Sequence, residues 1–359
     1  MKGVRVDPVR RTARAEAGAL LSDLDHETQA FGLAVTAGVV SHTGIAGLTL
    51  GGGQGYLMGK HGLTIDNLLS VNIVLADGRF VTASEKENED LFWAIRGGGG
   101  NFGVVTSFEY RLHPVGPEIV GGMMIYPFDQ AREVLRFYRK FAMNTPEEMS
   151  IPAGIFTLPD GLKVIGLIVG WVGSTEEGLR QLEPLRAFKA PLADLVNVVP
   201  YTQLQKSLDA AVPHGMHRYN KMGYLPDLRD EVIDIVLKHT ETISPYSMVL
   251  FNCMKGAVAR VAHEKTPFPY RQHQWYFDIT PQWTDPAEAD SHIAWARSFW
   301  AEVEPHTRGT SINWLAEDDD HDRVKLAYGP NYKRLAQLKH KYDPNNFFRL
   351  NNNILPSPA

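Results

Sequence analysis

Gly38-Val39-Val40-Ser41-His42-Thr43-Gly44-Ile45-Ala46-Gly47-Leu48-Thr49-Leu50-Gly51-Gly52-Gly53-Gln54-Gly55 is the stretch on which the reading of this chain turns. Glycines this dense carry no side chains to block a ligand, and they accept positive φ, so successive backbone N–H groups can converge on a phosphate oxygen. Ser41 and Thr43 add hydroxyl donors. An isolated Gly-Gly-Gly reads as a tight loop against a helix. Nine glycines between Gly38 and Gly62, interleaved with hydroxyls, point instead to a dinucleotide. A second window, Gly97-Gly98-Gly99-Gly100-Asn101-Phe102-Gly103, contains G-x-G-x-x-G at Gly98, Gly100 and Gly103. The nicotinamide fingerprint needs a strand before that motif and a helix after it. Here a helix over Leu91–Arg96 precedes and a strand from Val104 follows, so the match is accidental. No G-x-x-x-x-G-K-[ST] is present, which excludes a P-loop nucleotidase on this evidence.

Outward from these windows, the whole chain has 359 residues, and 14 of its 32 glycines fall in the two windows. The length implies about two domains. With 44% hydrophobic and 21% charged residues the composition is globular, and a net charge of −5 gives no electrostatic footprint for nucleic acid or an anionic membrane. The single cysteine, Cys253, can form no intrachain disulfide and by itself builds no metal centre, which favours a reducing, cytoplasmic setting. No apolar run has the length of a membrane span, and Met1–Pro8 has no apolar signal-peptide core. Val4 and Val6 alternate from the outset, so the chain opens inside a strand and a segment upstream is expected to be missing.

Up to about residue 115, short strands and helices alternate with glycine-rich loops. Strands are expected over Thr12–Ala17 and Val104–Leu112, with a short helix from Leu20 to about Phe31. Leu68–Leu75 and Phe80–Ala83 form a hairpin through Asp77-Gly78, and Asn88-Glu89-Asp90 caps the helix Leu91–Arg96. Pro114 and Pro117 mark a break. Beyond it the spacing predicts helices over Asp129–Met143, Ser174–Phe188, Asp227–Ile243, Pro286–Val303 and Tyr328–His340. Strands are predicted over Ile151–Leu158, Val164–Val172, Met248–Asn252 and Gln274–Thr280. The class is α+β, with an antiparallel sheet covered by helices on one face.

The run Ser41–Gly53, then Gly62-Leu63-Thr64-Ile65-Asp66-Asn67-Leu68, then Asp90–Gly103, resembles the FAD-binding half of the berberine bridge enzyme-like flavin oxidases of the vanillyl-alcohol oxidase superfamily. Tyr328-Gly329-Pro330-Asn331-Tyr332-Lys333-Arg334-Leu335, continuing through Tyr342–Arg349 to Asn351–Ile354, is similar to the family's closing segment. The resemblance covers nearly the whole chain in order. It implies a PCMH-type FAD-binding domain over residues 1–115, truncated at its N-terminus. A substrate domain over 116–315 and a berberine-type segment over 316–359, returning to the FAD domain, complete the chain. FAD is the implied cofactor. Gly38, Val39, Ser41, His42, Thr43, Gly44, Gly47, Gly51, Gly52, Gly53 and Gly55 are implied to run along pyrophosphate and flavin, with Asn67 alongside. Asn101, Gly103 and Val105 are implied on the adenine side, and Asn351 and Asn353 near the flavin ring, where short amides suit its N/O edge. Without the resemblance, Asn351–Asn353 reads equally well as a polar turn.

Two departures matter. The family's Arg-x-Gly-Gly-His-type loop, whose His often bonds the flavin, is absent, and Val40 stands where some members carry a second, cysteine anchor. No covalent flavin link is therefore expected. For chemistry, period 2 in Gln274–Thr280 puts Tyr276, Asp278 and Thr280 on one face and Trp275, Phe277 and Ile279 on the other. Asp278 with Tyr276 is the candidate acid–base pair, and by resemblance Asp278 falls where plant members carry an active-site Glu. The plain alternative is an Asp on the solvent side of a half-exposed strand. By the same resemblance, Ser311-Ile312-Asn313 falls where many bacterial members carry a Tyr-x-Asn motif, so that tyrosine is lost. His214 and His217 read as surface histidines, and Asp318-Asp319-Asp320-His321-Asp322 as an acidic solvated loop. The expectation is an FAD-dependent oxidoreductase acting on a small alcohol, sugar or amine with O2 as acceptor, without nucleic-acid or membrane partners. Its rival is a truncated, non-catalytic or small-molecule-binding chain of the same fold.

Overall fold

The structure, a computed structural model, describes every residue except His273, Glu317 and Ala359. In the first part of the chain, β1 (Val4–Asp7), β2 (Thr12–Glu16), β3 (Leu68–Val74), β4 (Phe80–Ser84) and β5 (Val104–Arg111) form an antiparallel sheet in the order β1-β2-β5-β3-β4. The hairpin between β3 and β4 closes as its sequence requires: Gly78 has φ 84° and the Asp77 carboxylate accepts from Arg79 N–H. Helix α1 (Leu21–Gln29) and the short α2 (Ile45–Leu50) flank the first glycine window. Helix α3 spans Glu89–Ile95, and here the expected cap is corrected. Asn88 lies in the left-handed region at φ 50° and donates its amide to the Thr82 carbonyl, so it cannot cap the helix.

Among the described residues the second sheet has nine strands, all paired antiparallel. Its main run is β6 (Glu118–Pro127), β8 (Lys163–Trp171), β7 (Ala153–Thr157), β10 (Met248–Met254), β11 (Gln274–Thr280) and β9 (Lys221–Leu225). Helices α4 (Ala131–Asn144), α5 (Asp230–Thr240) and α6 (Ala289–Val303) cover one face, as expected. Val134, Leu135 and Tyr138, Val232 and Val236, and Phe299 and Val303 share a core with Ile155, Leu167, Phe251, Phe277 and Ile279. The other face is turned towards the glycine-rich half, where Met222, Tyr224, Met254 and Tyr276 pack with Met58, Leu63, Ile65 and Phe268.

Prolines redraw two expected helices. Ser174–Phe188 divides into Thr175–Gln181 and Glu183–Phe188, because Pro184 has no N–H to continue the first. The closing helix begins at Tyr332, not Tyr328: α7 (His321–Tyr328) ends at Gly329, φ 48°, and Pro330 opens a 3-10 turn before α8 (Tyr332–Tyr342). The acidic run at the start of α7 is solvated at Asp318, Asp320 and Asp322, as expected, but it is also pinned by donors. Asp318 accepts from Tyr219 at 2.8 Å and Arg297 at 2.6 Å, Asp319 from Lys221 at 2.7 Å, and Asp320 from the N–H of Arg323 at 2.9 Å. Val324, Tyr328, Leu335 and Ile354 share a core with Ile73, Phe92, Phe102 and Tyr110, so the end of the chain packs on its beginning.

Candidate active site

In the first glycine window, α2 carries Gly44 and Gly47 on an open face, where an added Cβ would meet nothing within 4 Å among the described residues. The other glycines there have a different reason to be glycine. A Cβ at Gly38 would strike Leu21 and Leu48; at Gly51, the Asn313 amide; at Gly53, Thr64; and at Gly55, the Ala37 carbonyl. Gly52, with φ 124°, lies under the Phe268 ring. The tight-loop reading thus applies to most of the window, and an open backbone is confined to its Gly44–Gly47 turn. In the second window Gly103 has φ 157° and abuts the Val74 carbonyl, while Val105 is buried opposite Ile73.

Several expected ligands are already engaged. Ser41, expected as a free hydroxyl donor, gives both its N–H and its hydroxyl to Asp209, at 2.7 and 2.6 Å. The His42 ring stands 4.3 Å from that of His214, and the Thr43 carbonyl accepts from Leu21 N–H. Val39 packs in a small cluster with Tyr56 and Ile168. Asn67 donates to the carbonyls of His61 and Leu63 and meets His113 Nε2 at 2.6 Å. Asn101 donates to Gly98 and Asn352 carbonyls and accepts from Ile354 N–H. Asn351 is exposed and donates to the Gly100 carbonyl at 3.2 Å. Asn353 differs: its Oδ1 is buried and has no partner among the described residues.

On β11 the alternation holds. Trp275, Phe277 and Ile279 enter the helix-side core, and Tyr276 faces the glycine-rich half. Asp278 is 0% exposed, which removes the solvent-side alternative. Its Oδ1 accepts from Thr280 Oγ1 at 2.9 Å, and its Oδ2 has no hydrogen-bond partner among the described residues. Burial pushes this carboxyl up to about 7, against the opposing pull of the Tyr276 phenol and the Thr280 hydroxyl. Burial and then the neighbouring carboxylate hold the Tyr276 phenol well above its ordinary value. The Trp314 ring meets Tyr276 edge-on at 5.6 Å. A carboxyl that changes charge near neutrality, with one free oxygen in a dry aromatic setting, is equipped to take up or release a proton.

Sequence reasoning missed two neighbours of this pair. Tyr224, fully buried on β9, lies directly opposite Tyr276 in the ladder, and Gln54 Nε2 donates to its hydroxyl at 2.8 Å. The Ser311 hydroxyl adjoins the same phenol. The one available signal was Gln54 itself, the sole side chain in Gly51–Gly55. Arg271 is also part of the surroundings: fully buried, it grips both oxygens of Asp66 at 2.9 Å and holds the loop carrying Phe268. His214 and His217 are exposed, and no group of three or more His, Cys, Asp or Glu side chains is placed to hold a metal among the described residues. Burial pushes the Cys253 thiol up to about 11, which makes it inert. No helix among the described residues is long and apolar enough to cross a membrane.

Residues 1–84 match the FAD binding domain family and residues 310–355 the family described as berberine and berberine like. An FAD-linked oxidoreductase of Dictyostelium discoideum is 32% identical over 359 residues, spanning 99% of this chain and 78% of the relative. The crystal structure of 6-hydroxy-D-nicotine oxidase from Arthrobacter nicotinovorans superposes with a TM-score of 0.85 at 25% identity, covering 99% of this chain and 81% of that one. A variant of berberine bridge enzyme described as a reticuline dehydrogenase shares the fold, with a TM-score of 0.90 at 19% identity over 100% of this chain and 80% of its own. Fold and relatives together define an FAD-dependent oxidoreductase. The chain belongs to the berberine bridge enzyme-like family of FAD-linked oxidoreductases.

The residues present fit that cofactor. The Gly44–Gly47 turn leaves backbone uncovered, with no side-chain cap on α2 among the described residues, as an approaching phosphate requires. The buried Oδ1 of Asn353, without a partner among the described residues, has the acceptor chemistry that a flavin N–H calls for.

Proposed function

We propose that this chain oxidises a small alcohol, sugar or amine by hydride removal at carbon, with O2 as the final acceptor, and that Asp278 and Tyr276 manage the substrate proton. Bound FAD supplies the two-electron acceptor. Thr43, Gly44, Gly47 and Asn353 are the residues best placed to hold it. Asp278 Oδ2 takes the proton from the substrate hydroxyl or ammonium, so that the C–H bond can release hydride. Tyr276 donates towards the carboxylate and steadies its charge, and the Trp314, Tyr276 and Phe268 rings keep water out. That 6-hydroxy-D-nicotine oxidase shares the fold at 25% identity supports a small organic molecule as substrate.

The observation that carries this reading is the free Oδ2 of a fully buried Asp278. Asp278→Asn keeps shape and removes the base. In anaerobic stopped-flow measurements, the variant should reduce its flavin about 10² to 10⁴ times more slowly with substrate. Unchanged reduction would take Asp278 out of the chemistry.

A further inference from the structure

Where Ser41 of the first glycine window meets α1 and the short helix Tyr201–Gln205, the structure has a small cavity of about 90 Å³. Its polar lining is set apart by where the protons go. Ser41 gives its hydroxyl proton to Asp209 at 2.6 Å, so towards any further partner its oxygen can only accept. Gln205 turns its amide nitrogen to Asp25 Oδ2 at 3.1 Å, and its Oε1 is buried with no partner among the described residues. Asp25 is buried as well, and Gln205 is its one side-chain donor among the described residues. Ser22 and Thr202 add two hydroxyls. A carboxylate and several neutral oxygens with no donor left over form an acceptor set, which calls for a positive occupant.

The charged and titratable groups around the cavity leave that set uncompensated. His26 and Lys206 stand at its rim, both exposed, and neither makes an ion pair with Asp25 among the described residues. Asp209 is engaged by Ser41 and has His42 at 3.9 Å. Tyr201, beside Asp25, and Tyr56, beside Tyr201, are phenols that burial holds above their ordinary values. Burial pushes the Asp25 carboxyl up to about 7, more than Gln205 and Lys206 pull it down, so above neutrality a buried carboxylate faces the cavity without a counter-charge. One negative charge balances one positive charge, and a divalent ion would leave a net charge buried.

We propose that this cavity binds an alkali cation, sodium or potassium, through the Asp25 carboxylate, Gln205 Oε1 and the Ser41 hydroxyl oxygen, and so ties α1 and the glycine window to the second half of the chain. The site does not depend on the role of Asp278. The test is urea unfolding of the purified chain at pH 8 in sodium, potassium or tetramethylammonium chloride at matched ionic strength, with the sodium NMR line width as a direct probe of binding. Sodium or potassium should raise the urea midpoint saturably over tetramethylammonium, which is too large to enter, and the chain should broaden the sodium line. Both effects should vanish at pH 5, where Asp25 is protonated, and in Asp25→Asn, whose lead in stability over the parent at pH 8 should shrink as the alkali salt is raised. Gln205→Met keeps the carboxylate and removes one oxygen, and should raise the half-saturating salt concentration about tenfold. Equal midpoints in all three salts with an unbroadened sodium line would leave water alone in the cavity and overturn the proposal. A response that survives in Asp25→Asn, or one that Gln205→Met leaves unchanged, would put the cation elsewhere and overturn it as well.

Discussion

Asp25 shows how one side chain's burial becomes a property of the folded state. It lies on α1, 3% exposed, where Gln205 Nε2 donates to it at 3.1 Å across the contact with the second half of the chain. Burial pushes its carboxyl up to about 7, against the weaker pull of Gln205 and Lys206. An unfolded aspartate titrates near 3.8, so between these values the folded chain binds the extra proton. The stabilisation from the neutral acid is complete below the lower value and is lost as pH rises through the upper one, on the order of 4 kcal/mol in all. Asp25→Asn, neutral at every pH, should therefore be more stable than the parent by a few kcal/mol at pH 8 and nearly equal to it at pH 4, as read by denaturant unfolding. A gap that does not change with pH would show that Asp25 stays ionised in the folded chain. At this scale the sequence was partly legible. Period 2 placed Asp278 and Tyr276 together because both lie on one strand. Tyr224 and Gln54 lie 170 positions apart, and no local pattern links them. The glycines were legible as a cluster but not in their roles, since close packing and an open ligand face demand the same residue.

Among the elements, those that bury one face declared themselves. The apolar stripe of α4 and the alternation of β11 both have a solvent or site side to contrast with a core side. Strand β9 does not. All five of its residues, Lys221 to Leu225, are buried, so a lysine, a glycine and a tyrosine sit in one strand without alternation. Strand β6 is broken to the eye by Gly121 and Gly122, where Cβ atoms would meet Val199 of a strand added at its edge and the Leu195 carbonyl just ahead of that strand. The loop ahead of β11 is the irregular element on which the site depends. Arg271 fastens it to Asp66, and Thr266 Oγ1 and the Phe268 carbonyl accept two more of the guanidinium donors. Removing one partner of such a pair leaves the other charge buried alone, which costs about 3–5 kcal/mol. Arg271→Ala should lower unfolding stability by that amount and open residues 264–271 to limited proteolysis before the rest of the chain. Global destabilisation without early cleavage there would mean the loop is held by Phe268 packing instead.

Across the whole molecule, the chain's two ends are joined at Asn101, a point the sequence could not reveal because its partners lie about 250 positions away. The resemblance supplied the order of the segments, and physical chemistry supplies what holds them. Asn101 is 1% exposed and its amide serves Gly98, Asn352 and Ile354 at once. Its carbonyl accepts from Lys339 Nζ at 2.8 Å, and the same ammonium pairs with Asp343 at 2.6 Å and the Phe348 carbonyl at 2.9 Å. The second glycine window is thereby fixed to α8 and to the irregular tail that carries Asn353. Asn353 is thus held between two backbone groups bonded to Asn101, with Asn352 Nδ2 donating to the Ile312 carbonyl at 2.6 Å beside it. Asn101→Ala leaves three buried backbone groups without their partner, a loss of about 2–4 kcal/mol. Its local signature is sharper than its global one: amide exchange at Ile354, whose N–H donates to Asn101 Oδ1, should accelerate to the rate of an exposed tail, while exchange in β10 and β11 stays slow. Equal acceleration in both places would mean that Asn101 supports the fold as a whole, and that α8 alone holds the tail.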